Sequence, residues 1–360
     1  MRVLVAGVNV RHIACSASRA GHEVIAADGF CDLDLQSCAS EVVQLRRPGW
    51  EEELPEYVKR FHPEAVVLGP GLEEARLDGV PVLNNPPERA ACVSDKLWLA
   101  RWLEDMGFPF IRTEESPDGL QYPVVAKPRR GAGGVGCRVI GGGADVGSRD
   151  GLIFQELVAG RSVSVSVICN GRRAAALAVN EQLLGEPWAG ASGFRYVGNI
   201  TPLEAAPEGI GRLAEEIVSE LGLIGSNGVD MILTETGPAV VEVNPRFQGS
   251  LETIEMATGM NVFQSHLEAF SGDLPCPPSF QRVAGRAIIY ASRRLLIGEG
   301  LRQRWTRDVP RPGSVIGLGE PVLSVVAEGR DRNSVYGLLR KRAAEVRMIL
   351  TGRSHQETTL

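Results

Sequence analysis

The chain has 360 residues, 44% of them hydrophobic, and a formal net charge of −6. That length accommodates two or three domains around a core that needs no covalent staples. The charges are mixed in sign with no basic stripe, which argues against a nucleic-acid binder, and no apolar run reaches the length of a membrane span.

The opening MRVLVAG is too short and too soon interrupted by polar residues to read as a signal peptide. Seven cysteines, Cys15, Cys31, Cys38, Cys92, Cys137, Cys169 and Cys276, are widely spaced with no CxxC pair. Free thiols in a reducing cytoplasm are therefore expected, not a disulfide framework or a zinc ribbon, with Cys137 a small buried thiol.

In chain order, residues 2–6 read as a buried strand, 10–20 as a helix and 22–27 as a second strand ending at Asp28. Residues 65–69 and 80–83 are short apolar strands. This is the rhythm of a parallel sheet with crossover helices. Ligands of such sheets sit beyond the carboxyl ends of the strands, here the loops 7–12 and 69–72. The first strand is followed by GVNVRH, not GxGxxG, so the segment reads as a scaffold and not a dinucleotide site. Ser94 is a natural N-cap for a helix running to about Met106, with Leu97, Leu99, Ala100 and Leu103 as its apolar face. The middle of the chain is rich in strands. From about Phe280 a smaller unit follows, with strands at 286–290 and 322–326 and a basic helix near 333–350. The tail SHQETTL reads as disordered.

Two segments carry chemistry. In Y-P-V-V-A-K-P-R-R-G-A-G-G-V-G-C-R-V-I, a strand over 124–127 ends in Lys127, and Gly131, Gly133, Gly134 and Gly136 crowd behind it. Glycines let backbone N–H groups approach phosphate oxygens, and Lys127 meets the same phosphates as a point charge. The order lysine-then-glycines is not a Walker A loop, and a plain flexible turn is the alternative.

In G-V-D-M-I-L-T-E-T-G-P-A-V-V-E-V-N-P-R-F-Q-G-S, strands at 229–233 and 239–243 flank a turn at 235–238. A hairpin centred near Thr236 sets Asp230 opposite Glu242, with Cβ atoms about 5 Å apart, and puts Glu242 and Asn244 on one face. Two such carboxylates repel unless one protonates or a cation joins them, and oxygen-only ligands suit Mg²⁺. Arg246, just beyond, is free to grip an anion bidentately. A solvent-facing hairpin with ordinary surface charges is the alternative. Residues 181–199, with Trp188, Phe194, Tyr196 and Asn199, read either as a substrate cap or as a long surface loop.

Taken in order, the Lys96 helix, the VVAKP strand, the glycine loop, QELVAG and EVNPRFQGSLE resemble the ATP-grasp superfamily over about residues 94–260. The whole chain resembles a subgroup described as predicted ATP-dependent carboligases. Its GEPVLSVVAEG segment is similar to the small module that closes the grasp lobe in biotin carboxylase. The resemblance implies a mixed α/β and α+β fold. A Rossmann-like domain would span 1–93, an ATP-grasp domain 94–275 (glycine-loop lobe about 108–158) and a C-terminal β/α module 276–360.

It further implies that Lys96 and Lys127 touch ATP phosphates and that Gly131, Gly133, Gly134 and Gly136 close over them. Gln155, Glu156, Leu157 and Val158 would pair with adenine. Asp230, Glu242 and Asn244 would hold Mg²⁺ (or Mn²⁺), and Arg246 would steady the reacting intermediate. Three positions depart from the pattern. Gln155 and Ser162 stand where many members have acids, and Ser250 stands where biotin carboxylases carry the glutamate that acts on bicarbonate, with Glu252 two residues on. No AMKM-like biotin attachment sequence is present.

The implied activity is a carboxylate–amine, or carboxylate–thiol, ligase working through an acyl phosphate. A bicarbonate-using carboxylase and a catalytically silent ATP sensor are the alternatives. Expected partners are a small-molecule carboxylate and amine, with no nucleic acid or membrane; the oligomeric state is left open, a homodimer being one option because many members of the family dimerise.

Overall fold

The computed structural model describes residues 1–46, 49–142 and 150–352, and the 354–360 tail lies outside them. The mixed α/β fold expected from the sequence is the one observed.

The apolar run after Arg2 forms the strand Arg2–Gly7, buried from Val3 onward. It is flanked by Glu23–Asp28 on one side and Ala65–Leu68 on the other, with Glu41–Gln44 at the edge, all parallel. Helices Arg11–Arg19 and Trp50–Phe61 cross between them. The strand expected at 80–83 shrinks to a single parallel bridge between Val66 and Val82. Pro81 has no N–H to extend the ladder, although its carbonyl accepts from the Val66 amide.

Helix Lys96–Asp105 is capped by Asp95, whose side chain accepts from the Leu97 and Trp98 amides. The cap expected at Ser94 is displaced because Ser94 closes the preceding helix Pro87–Val93, its amide donating to the Ala90 carbonyl.

A second sheet has eight strands in the order Gly237–Asn244, Ile224–Thr234, Arg161–Asn170, Ala174–Leu184, Tyr196–Thr201, Val283–Tyr290, Pro321–Gly329 and Thr306–Arg307. Every pairing in it is antiparallel. Within segment 181–199, residues 181–184 and 196–199 are sheet, with Glu181 paired to Ile200, and the connection 185–195 between them carries only the short 3-10 turn Pro187–Ala189. A smaller antiparallel sheet orders Thr113–Glu114, Leu152–Glu156, Val124–Pro128 and Arg138–Ile140. Helix Arg332–Leu350 packs on the Val283–Tyr290 and Pro321–Gly329 strands through Val335, Leu339, Ala343 and Val346.

The expectation of free thiols fails at one pair: Cys15 and Cys38 form a disulfide, Cα atoms 4.8 Å apart. Leu35 is fully buried beside Ile13 and Ala14, and this packing brings the segment bearing Cys38 onto the helix bearing Cys15. Cys31, Cys92, Cys137, Cys169 and Cys276 are free. No described helix is long and apolar enough to cross a membrane.

Candidate active site

The small sheet supplies one wall of a cleft of about 470 Å³ and the eight-stranded sheet the other. Val124, Val125 and Ala126 bury the start of their strand, and the same strand carries Lys127 inward, leaving it 4% exposed. Lys127 Nζ donates to Gln155 Oε1 at 2.8 Å, and Gln155 Nε2 donates to Thr113 Oγ1 at 2.9 Å. Lys127 is thereby fixed across three strands. Burial pulls its pKa down to about 8, with Glu242 opposing and Lys96 assisting.

Lys96, in the first turn of its helix, donates to the Gly131 carbonyl at 2.7 Å and lies 3.5 Å from Glu242 Oε2. Asp95, which caps that helix, also pairs with Arg129 at 2.8 Å. The helix that presents Lys96 is thus anchored to the strand end that precedes the glycine loop.

Gly131, Gly133, Gly134 and Gly136 all have positive φ, a conformation L side chains rarely adopt. Gly134 has a second reason to lack a side chain: a Cβ there would collide with the Phe194 carbonyl. The Tyr196 amide donates to the Gly133 carbonyl at 3.1 Å, so the loop rests on the large sheet. Gly131, Gly133 and Gly134 line the cleft, whereas Gly136 packs against Pro128 outside it.

Asp230 stands opposite Glu242 as expected, but the turn is tighter than 235–238: Thr234 pairs with Gly237, and a bulge between Asp230 and Met231 restores the pairing. Asn244 Nδ2 donates to Asp230 Oδ2 at 3.2 Å, while Asp230 Oδ1 is buried with no hydrogen-bond partner. Burial and then Glu242 push the Asp230 carboxyl well above its ordinary range. Burial acts on Glu242 in the same sense, but Lys96, Lys127 and Arg246 outweigh it and hold Glu242 below its ordinary value. An orphaned buried oxygen, a destabilised carboxylate and a purely oxygen donor set fit a hard divalent cation.

Arg246 lines the cleft but is not free, as its sequence position suggested. Its Nε pairs with Glu73 Oε1 at 2.6 Å and one terminal nitrogen donates to Asn244 Oδ1 at 2.9 Å. Sequence reasoning missed Glu73, although it follows directly on the 69–72 loop flagged beyond a strand's carboxyl end. Gln155, Glu156, Leu157, Val158, Ser162 and Ser250 also line the cleft, and Ser250 and Ser166 hydroxyls are 2.8 Å apart.

Cys137 is half-buried in the cleft lining, its thiol pushed up by burial. Of the four cap candidates, Phe194 and Tyr196 reach the cleft. Trp188 instead meets Tyr336 edge-on, and Asn199 is buried, donating to Thr201 and Thr253. Glu252 is not in the cleft lining: it is clamped by Arg11 at 2.7 Å and Arg307 at 2.6 Å.

Residues 93–250 match the family model described as an ATP-grasp domain. An uncharacterised protein of Methanocaldococcus jannaschii is 24% identical over 369 residues, covering 93% of this chain and 91% of its own. Biotin carboxylase from Campylobacter jejuni superposes with a TM-score of 0.76 at 14% identity, covering 97% of this chain and 94% of its own. The L-amino acid ligase of Bacillus licheniformis does so with a TM-score of 0.69 at 16% identity, covering 96% and 97%. At such identities the two structures share the fold with this chain.

Proposed function

We propose that this ATP-grasp superfamily protein, distantly similar to biotin carboxylase, is an ATP- and Mg²⁺-dependent ligase that joins a small-molecule carboxylate to an amine through an acyl phosphate. The observation that carries this reading is the convergence of Lys96, Lys127 and the glycine loop with Asp230, Glu242 and Asn244 on one cleft. A D-alanine–D-alanine ligase from Pediococcus pentosaceus, 26% identical over 140 residues (35% of this chain and 39% of its own), points to the same reaction class. The reading also takes 1–93, 94–275 and 276–360 as the domains.

Lys96 and Lys127 hold the triphosphate, while the backbone of residues 155–158 borders the adenine. Asp230, Glu242 and Asn244 would hold a divalent ion, which would supply charge neutralisation at the phosphates. The substrate carboxylate oxygen attacks the γ-phosphorus, the bond to the β-bridging oxygen breaks, and ADP leaves. The amine nitrogen then attacks the acyl carbon, the C–O bond to phosphate breaks, inorganic phosphate leaves, and the amine proton passes to solvent. Arg246, oriented by Glu73, faces the oxyanion that forms on the acyl carbon. The glycine loop excludes water that would hydrolyse the acyl phosphate.

The bicarbonate alternative loses its candidate base, because Glu252 is committed to Arg11 and Arg307. The test is ADP and phosphate release against carboxylate and amine libraries. Turnover should need Mg²⁺ and both substrates, and should fall about 100-fold or more in Lys127→Ala and in Glu242→Gln. Undiminished turnover in both variants would refute the assignment.

A further inference from the structure

Outside the cleft, the loop after the first strand carries groups that the fold leaves unmatched. His12 is 5% exposed, and neither ring nitrogen has a hydrogen-bond partner. Burial, then Arg286 and Arg11, keep its imidazole neutral, with a pKa of about 3. Arg286 Nε, which lies 4.0 Å from Glu252 Oε2, and Asn9 Oδ1 are also buried without a hydrogen-bond partner. The other bonds here are made: Arg286 donates to Asp308 Oδ2 at 2.5 Å and Arg11 Nε to Asp308 Oδ1 at 2.8 Å. A buried polar atom without a partner carries the full cost of its desolvation, so several in one place mark a site for something the protein binds.

The place is suited to a ligand. It lies beyond the carboxyl ends of strands Arg2–Gly7 and Glu23–Asp28, the crevice where open α/β sheets take their ligands. Val8 and Asn9 are only half-buried and Phe30 is exposed, so the place borders the surface. Two elements link it to the cleft. Glu252, paired to Arg11, stands in the first turn of helix Leu251–Thr258, directly after cleft-lining Ser250. Arg286 is the strongest charge acting on the cleft residue Tyr196.

We propose that Asn9, His12 and Arg286 form the acceptor subsite, and that it takes a small amino acid carrying a primary amine and a carboxylate. A neutral imidazole offers one donor and one acceptor; Arg286 adds an N–H and Asn9 an oxygen. Two donors facing two acceptors are completed by a carboxylate oxygen pair and an amine, whereas a simple anion leaves the Asn9 oxygen and the imidazole lone pair unmatched. The inference rests on the ligase reading and supplies the amine which that reading leaves open.

The test is calorimetry on the full chain with MgADP present, titrating glycine, L-alanine, L-glutamate and L-lysine as probes. At least one probe binds. Its Kd rises roughly ten-fold or more in Asn9→Ala and in His12→Ala, partly recovers in His12→Gln, and MgADP affinity stays within about two-fold. Asn9 is half-buried, and its side-chain amide makes one contact of 3.5 Å to Asp308, so Asn9→Ala keeps the test open should His12→Ala fail to fold. Unchanged probe affinity in Asn9→Ala overturns the proposal. So does the absence of binding by every probe while MgADP binds, an outcome that leaves the ligase reading standing. Failure of the wild-type chain to take up MgADP removes both.

Discussion

The cleft and the Arg11 cluster both bury carboxylates, yet they treat them in opposite ways. In the cleft, Asp230 sits beside Glu242, is pushed up first by burial and then by that neighbour, and keeps one oxygen unmatched. In the cluster, burial acts on Glu252 in the same direction, but Arg11 and Arg307 override it and draw the carboxyl down to about 2. Around Glu252 the arrangement is closed: two arginines hold one carboxylate, which ties helix Leu251–Thr258 to helix Arg11–Arg19 and to the C-terminal segment. The first is open, because Asp230 keeps a buried oxygen without a partner. A buried oxygen left unmatched marks where an added ion belongs, and a carboxylate held by two arginines is internal glue.

That contrast breaks most visibly in paired substitutions. Glu252→Gln takes from Arg307 its carboxylate partner and leaves Arg11 to Asp308 and Asp34, and should lower unfolding stability by about 3 kcal/mol. Asp230→Asn should change the stability of the nucleotide-free protein by less than about 1 kcal/mol, since it replaces a carboxyl already biased toward protonation. It should nonetheless abolish the Mg²⁺-dependent part of nucleotide binding. Denaturant melts and calorimetry check both, and equal destabilisation by the two changes would erase the distinction. The sign also sets a pH window for Glu252. Its folded pKa is depressed from 4.5 to about 2, so its stabilisation is present above the ordinary value and is lost as pH falls toward about 2.

A smaller effect sharpens the picture of the cleft. Lys127 is charged below a pKa of about 8 and neutral above it. Affinity for Mg²⁺-free ADP should therefore hold steady from pH 7 to 8 and then weaken, approaching ten-fold per pH unit at roughly pH 9, with uptake of about one proton on binding. Titrations across that range in buffers of different ionisation enthalpy test this. A flat profile would mean that Lys127 does not face the phosphates. Smallest is the rim: Asp95→Ala removes a helix cap and an Arg129 partner and should cost about 1 kcal/mol, read from the melting curve, with a modest loss of nucleotide affinity through Lys96.

The cleft was largely legible in the sequence because its parts are local. Strand alternation about a turn near Thr236 sets Asp230 against Glu242, although the turn proved tighter and a bulge restores the pairing, and a lysine followed by crowded glycines announces itself within one segment. The Arg11–Glu252 pair was not legible, since its partners stand 241 positions apart and meet only through tertiary packing. The same holds for Glu73 on Arg246, and for Cys38, carried to Cys15 by the burial of Leu35. Asp95 in place of Ser94 is a subtler miss: both residues suit a cap, and only the end of the preceding helix decides between them. The cap reading of 181–199 failed for Trp188 because Tyr336 on the C-terminal helix meets the indole edge-on and its hydroxyl accepts from the indole N–H.

The seat of Gly134 beneath the Phe194 carbonyl has a consequence for variation at that position. Any side chain there, even a methyl, would act as a wedge between the flap and the sheet and hold the lid ajar. The damage would show as leaked phosphate, with ATP consumed but no ligated product, and not as a protein that fails to fold. On the ligase reading, a single methyl group would thus turn a coupled synthetase into an idling ATPase.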